Sequence, residues 1–177
     1  MAKLEGRLAL VTGASRGIGE HCARALSEQG ARVGLAARSE EDLHTLAAQL
    51  PNDPVVLPVD LAKPGAGADL AASAVEAHGG VDILVNNAGI SEIKGEDEQV
   101  MRVNYHAPLE TTKALVRQMA ERGNGSVIHM SSVAGATGVA ELPTYGATKA
   151  ALDSLTRSQA AQLGRFGIRV NLSLIHI

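Results

Sequence analysis

With 177 residues, 45% of them hydrophobic, the chain is long enough for a real core and matches the length of one domain. A net charge of −3, no basic cluster and only Tyr105, Tyr145 and Phe166 as aromatics argue against a nucleic-acid partner. No apolar run is long enough for a bilayer, Met1-Ala2-Lys3-Leu4-Glu5 lacks the apolar core of a signal peptide, and Cys22 is the only cysteine. The expectation is therefore no membrane partner, no internal disulfide and a reducing, cytoplasmic setting. The histidines show no paired-ligand spacing, so no metal is expected.

Arg7 to Thr12 is a short apolar run stopped by Gly13, the pattern of a strand buried on both faces. Gly13, Gly17 and Gly19 follow, then a helical pattern that puts Ile18, Cys22, Ala25 and Leu26 on one inward face before Gly30 closes it. Strand, glycine turn and helix N-terminus together form an anion site. Amides point outward at the positive dipole end, and glycine lets the backbone approach a pyrophosphate with no side chain between. The spacing is G-x-x-x-G-x-G, not the G-x-G-x-x-G of the common dinucleotide fingerprint, so an ordinary tight connection stands beside the phosphate-binding reading. Cys22, on the inward face, reads as core.

Arg32 to Ala37 is the second strand. Ser39 caps the next helix, with Glu40, Glu41 and Asp42 at its positive end and Leu43, Leu46, Ala47 and Leu50 as its inner stripe up to Pro51. The end of such a second strand is where an NAD site carries a carboxylate for the ribose 2′-hydroxyl. Here it reads Ala36-Ala37-Arg38. Arg38 and Arg16 are suited to clamp a 2′-phosphate, which favours NADP; the alternative is two solvated arginines.

Val55 to Val59 gives a third strand ending at Asp60, and Leu61 to Gly67 a loop before a helix to His78. Val81 to Val85 is a fourth strand running into Asn86-Asn87-Ala88-Gly89, and Ile90 to Asp97 is a polar, acidic loop. A helix then carries Val100, Val103 and Ala107 on one side with Asn104 close by, and Pro108 opens another with Leu109, Thr112, Val116 and Met119. Asn124-Gly125 turns into a fifth strand, and Gly167 to Asn171 begins a sixth. Strands alternating with helices define an α/β chain with a doubly wound parallel sheet of the Rossmann type, about six strands wide. Ligands of such sheets bind beyond the carboxyl ends of the strands.

The fifth strand, Val127-Ile128-His129-Met130, ends at Ser131-Ser132, and small residues and Pro143 lead into a last helix to Leu163. That helix carries Tyr145 and Lys149, whose spacing of four puts phenol and ammonium on one face, one turn apart. Free tyrosine titrates at about 10, and a nearby cation stabilises its phenolate. Ser132 at the strand end is placed to donate a hydrogen bond to the same substrate oxygen. Donor, tuner and orienting hydroxyl suit proton transfer at a carbonyl or alcohol. Taken alone, a tyrosine and lysine at this spacing are more often an exposed pair.

Thr12-Gly13-Ala14-Ser15-Arg16-Gly17-Ile18-Gly19, Asp60, Asn86-Asn87-Ala88-Gly89, Asn104 and the Ser132, Tyr145, Lys149 set together resemble the short-chain dehydrogenase/reductase family over residues 7–171. The resemblance implies a dinucleotide-binding domain at 1–171, with Gly13, Ser15, Arg16, Gly17, Ile18 and Gly19 at the cofactor. Arg38, Asp60, Leu61, Asn87, Ala88 and Gly89, with Tyr145 and Lys149, complete that set. Arg16 and Arg38 are similar to the basic residues of members that prefer NADPH. By the same resemblance Tyr145 is general acid or base, and Lys149 lowers its pKa and binds the nicotinamide ribose. Ser132 positions the substrate oxygen and Asn104 holds a water in the proton relay. The pattern is similar to the 3-oxoacyl-carrier-protein reductases, which implies a small carbonyl or alcohol substrate. It also implies a homo-oligomer through the helices at 98–122 and 143–164. The rival reading is a dinucleotide-binding sensor without catalysis.

Two departures from that family stand out. The segment between Gly89 and Asn104 is shorter than is usual, which alters one wall of the substrate site. After Asn171 the family pattern continues into a loop at the nicotinamide, a substrate lid and a seventh strand. Here Leu172-Ser173-Leu174-Ile175-His176-Ile177 follows instead and resembles a translated sequencing-library adapter. The expectation is that 172–177 is a non-native tail on an incomplete domain. It would leave the sixth strand as an open edge, and the site, lacking its lid, would bind NADPH weakly and turn over slowly.

Overall fold

The computed structural model describes residues 3–91 and 96–175. The first two residues, the middle of the 90–97 loop and His176-Ile177 lie outside that range. The N-terminal half alternates β1 (Leu8–Thr12), α1 (Gly17–Glu28), β2 (Arg32–Ala37), α2 (Glu40–Ala47), β3 (Val55–Pro58), α3 (Ala66–His78) and β4 (Ile83–Asn86). The C-terminal half adds α4 (Asp97–Met101), a π-helical turn (Arg102–His106), α5 (Ala107–Glu121), β5 (Gly125–Ser132), α6 (Ala134–Thr137), α7 (Pro143–Leu163) and β6 (Ile168–Ile175).

The strands form one six-stranded sheet, ordered β3-β2-β1-β4-β5-β6, and every pairing is parallel. Period-two alternation splits the core between its faces. Ala9, Val11 and Val85 pack with Ala23, Leu43 and Leu46 of α1 and α2, while Leu10 and Leu84 pack with Leu70, Leu115 and Met119 of α3 and α5. The order of winding reverses between β1 and β4, so the connections that leave their carboxyl ends run to opposite faces of the sheet and leave a crevice between them. No helix among the described residues is long and apolar enough to cross a membrane.

Several local expectations are corrected. The inward face of α1 is centred on Gly19, Ala23 and Ser27; Cys22 and Leu26 pack half-buried against the core beside them, as expected, whereas Ile18 and Ala25 are exposed. The helix lies so close to the turn after β1 that small residues alone fit: a Cβ on Gly19 would stand 2.1 Å from the Gly13 carbonyl oxygen. Val81 does not join the β4 ladder, because the Gln118 side chain takes both its backbone groups, at 3.4 and 2.7 Å.

The two helices expected around Pro108 form one continuous rod from Asp97 to Glu121, with the π turn in its middle. The Ala107 N–H donates to the Arg102 carbonyl five residues back, and Pro108 has no N–H to offer the Asn104 carbonyl four back. The four-residue α6 was not foreseen. β6 runs past Asn171, and Leu172 to Ile175 pair in register with His129 to Ser132 of β5. Among the described residues β6 is an outer strand of the sheet.

Candidate active site

The crevice between β1 and β4 is closed at its back by neutral hydrogen bonds. The Thr12 hydroxyl donates to the Val85 carbonyl (3.3 Å) and accepts from the N–H groups of Asn87 and Ala88 (3.0 Å each). The Asn87 side-chain amide donates to the carbonyls of Thr12 and Gly13, at 2.9 and 3.2 Å. The Ala14 N–H donates to the Ala36 carbonyl at 3.1 Å and pins the turn to β2. A Cβ on Gly13 would meet the Asn87 amide nitrogen at 2.8 Å. Gly17 differs: its φ of +58° needs glycine, yet a Cβ there would meet nothing within 4 Å. The turn is thus packed behind and open in front. α1 begins on that open side with no side-chain cap, which leaves its first N–H groups to a ligand.

Around this turn, Ser15 is half-buried, and Ile18 is exposed at the mouth of the crevice. Arg16 and Arg38 are exposed, and neither has an ion-pair partner among the described residues. Asp60 follows β3, and its carboxylate accepts from the Ala62 N–H at 3.1 Å. The Leu61 side chain belongs to the core beneath α3 and α5 and is not offered to a ligand.

The other half of the site centres on Lys149, which is 5% exposed. Its ammonium donates to the Met130 carbonyl at 2.7 Å and lies 5.4 Å from the centre of the Tyr145 ring. Burial pushes the Lys149 pKa down to about 8, with Asp153 pulling the other way. A Cβ on Gly89 would stand 3.7 Å from that ammonium and 3.5 Å from the Asn104 side-chain oxygen, so the end of β4, the π turn and α7 converge here. Ser132, two residues beyond Met130, accepts from the Ala134 N–H at 3.2 Å, which starts α6.

Asn104 is 1% exposed, and its amide is occupied by protein groups. The oxygen accepts from the Ile90 N–H and the nitrogen donates to the Ile90 carbonyl, both at 2.9 Å; the nitrogen also reaches the Thr148 hydroxyl at 3.2 Å. Thr148 in turn donates to the Tyr145 carbonyl at 2.7 Å. Thr148, the neighbour of Lys149, is a link that sequence reasoning missed, since only the crossing of the π turn and α7 puts it beside Asn104.

Beneath these groups lies a second unforeseen feature. His129, read from the sequence as part of an apolar strand, is fully buried in a polar network. Its Nε2 pairs with Gln159 Oε1 at 3.0 Å and its Nδ1 with the Asn86 amide nitrogen at 3.2 Å; that nitrogen also donates to Thr112 at 3.2 Å. A neutral ring with the proton on Nε2 satisfies both contacts. Burial lowers the His129 pKa, Gln159 opposes this and the nearby Lys149 charge adds to it. The network ties β4, β5, α5 and α7 into a rigid floor.

Comparison with known proteins agrees with this geometry. The chain matches the family profile described as short chain dehydrogenase over residues 7–174. It is 36% identical over 176 residues to a 3-alpha-(or 20-beta)-hydroxysteroid dehydrogenase of Mycobacterium bovis, an alignment covering 96% of this chain and 68% of that one. Among solved structures, a metagenomic short-chain oxidoreductase in complex with NADP superposes with a TM-score of 0.92 at 35% identity, covering 98% of this chain and 84% of the other. An NAD+-bound xylitol dehydrogenase superposes with a TM-score of 0.90 at 29% identity, covering 96% and 70%. The fold, the glycine turn at the β1–β4 crevice and the matched residues make this chain a member of the short-chain dehydrogenase/reductase family.

Proposed function

We propose that the chain interconverts a carbonyl and a secondary alcohol with NADP(H), using Tyr145 as general acid in one direction and general base in the other. The observation that carries this reading is the buried Lys149 ammonium beside the Tyr145 ring, on the floor formed by Met130, Gly89 and Asn104 at the carboxyl ends of β4 and β5. The residues fit a nicotinamide dinucleotide: the glycine turn is open in front, the first N–H groups of α1 lack a side-chain cap, and Asp60 lies at the next strand end. When bound, that cofactor supplies or accepts the hydride.

The protein's own groups do the rest. Ser132 orients the substrate oxygen, Tyr145 moves the proton, and Lys149 supplies a positive charge beside the phenol. Because the Asn104 amide is tied to Ile90 and Thr148, its role is to fix the loop after β4, and its backbone carbonyl, which Pro108 cannot cap, is the group available to a relay water. NADP is favoured over NAD by Arg16 and Arg38, two exposed cations without anionic partners among the described residues, and by the absence of a carboxylate at the end of β2. The complex of the metagenomic relative with NADP supports this choice.

The test is NADPH oxidation against a panel of ketones and aldehydes, run beside cofactor binding followed by nicotinamide fluorescence. Tyr145→Phe should lower turnover about 10²–10⁴-fold and leave NADPH binding nearly intact. Equal loss of binding and turnover would make the tyrosine structural. Binding with no turnover on any carbonyl would favour the sensor reading.

A further inference from the structure

Lys149 is nearly fully buried, yet among the described residues no carboxylate lies within ion-pair distance of it. Among the described residues its ammonium donates one hydrogen bond, to the neutral Met130 carbonyl at 2.7 Å. A buried ammonium without compensating charge releases its proton readily, so what holds this one charged has to come from further out. Among the described residues three titratable groups act on it: Tyr145 and Asp153 from α7 and His129 from β5. His129 sits neutral in its network, and Tyr145 meets the ammonium with its ring, whose centre is 5.4 Å away. Among the described residues Asp153 is the one anion that acts on it, one helical turn beyond Lys149 on the side away from Tyr145.

Asp153 is itself fixed in place. The buried Ser131 hydroxyl donates to its carboxylate Oδ1 and also lies 3.4 Å from the Lys149 carbonyl, so one side chain of β5 fastens both residues of α7. We propose that Asp153, anchored by Ser131, is a positioning residue that keeps the Lys149 ammonium protonated at neutral pH. Asp153 touches neither substrate nor cofactor; it acts through Lys149. The catalytic consequence rests on the oxidoreductase reading above, whereas the effect on the charge of Lys149 does not. With the Lys149 pKa already pushed down to about 8, the margin above neutrality is narrow, and loss of the Asp153 charge moves the proton's release toward physiological pH.

The experiment follows the Cε resonance of Lys149 in 13C-lysine-labelled chain as pH is raised, with Lys149→Met identifying the signal. Asp153→Asn keeps an acceptor for Ser131 and removes only the charge. Its Lys149 midpoint should fall below that of the unsubstituted chain, and Asp153→Glu should restore it. Ser131→Ala, which frees the carboxylate without discharging it, should lower the midpoint less. An Asp153→Asn chain that titrates with the unsubstituted midpoint overturns the proposal. If that variant does not fold by circular dichroism, an unchanged midpoint in Ser131→Ala overturns it equally. In parallel, the alkaline limb of kcat/KM for NADPH oxidation should move down with the resonance, which a merely structural defect would not produce. Absence of turnover in every variant counts against the oxidoreductase reading alone, since the resonance judges Asp153 independently.

Discussion

The glycine turn and the Lys149 floor lie side by side at the carboxyl ends of β1, β4 and β5, but different physics holds each. Behind the turn every contact is neutral: Thr12 and Asn87 bind backbone groups, and Gly13 and Gly19 bring main chain against main chain with no space for a methyl group. Around Lys149 polar groups from three elements, β5, the π turn and α7, close on a buried charge. The first half therefore fails sterically, losing fold and binding together. The second fails electrostatically, with its shape intact.

The steric half gives the larger expected effect. Gly19→Ala drives a Cβ to 2.1 Å from the Gly13 carbonyl oxygen and 2.5 Å from the Asn87 amide, both fixed by the sheet. Overpacking of this kind costs at least about 3 kcal/mol, or roughly 6–12 °C in Tm for a chain of this size. Gly17→Ala, where a Cβ meets nothing, pays only for its left-handed backbone, about 1 kcal/mol. Thermal unfolding of the pair checks the contrast; equal losses would mean that backbone conformation, not packing, rules the turn.

Electrostatic failure shows instead as a pH dependence. The folded pKa of Lys149, about 8, lies below its ordinary value of 10.5, so between those limits the unfolded chain binds more protons than the folded one. Its charge penalises folding fully below pH 8, and the penalty fades as pH rises toward 10.5. The difference in stability between the unsubstituted chain and Lys149→Met should thus shift by about 3 kcal/mol in favour of the unsubstituted chain across that window. Urea unfolding of both at pH 7 and pH 10 measures it. A pH-independent difference would mean that Lys149 keeps its proton throughout.

This contrast also sorts what the sequence could reveal. Alternating apolar runs and helical stripes pointed to a parallel α/β sheet of about six strands, and a spacing of four put Tyr145 and Lys149 on one face, because both signals are periodic and local. The inward face of α1 was legible only in part, through Cys22 and Leu26, because hydrophobicity does not single out the small Gly19, Ala23 and Ser27 that close packing demands. The π turn at Asn104 left one trace, Pro108, which was read as the start of a new helix. Gln118 on Val81, His129 in its network, and Thr148, Ser131 and Asp153 around the site depend on which strand crosses which helix, and no local pattern carries that. Leu172 to Ile175 continue the β5 register, a pairing visible only once the sheet exists.

The smallest expected effect tests whether the open front of the turn chooses its ligand. Arg38 stands at the end of β2, exposed and without an ion-pair partner among the described residues, where a carboxylate would instead bind a ribose 2′-hydroxyl. Arg38→Asp exchanges a phosphate clamp for a hydroxyl acceptor and leaves the packed back of the turn untouched. NADPH binding should weaken about tenfold while NADH binding holds or improves, because one charge-assisted contact is worth that much at a solvated site. Raising the salt concentration should narrow the gap, since exposed charges are screened. A variant that loses both cofactors equally would place Arg38 in the structure of the turn. One that loses neither would leave the choice to Arg16, at the N-terminus of α1, and the same titration on Arg16→Ala would then decide it.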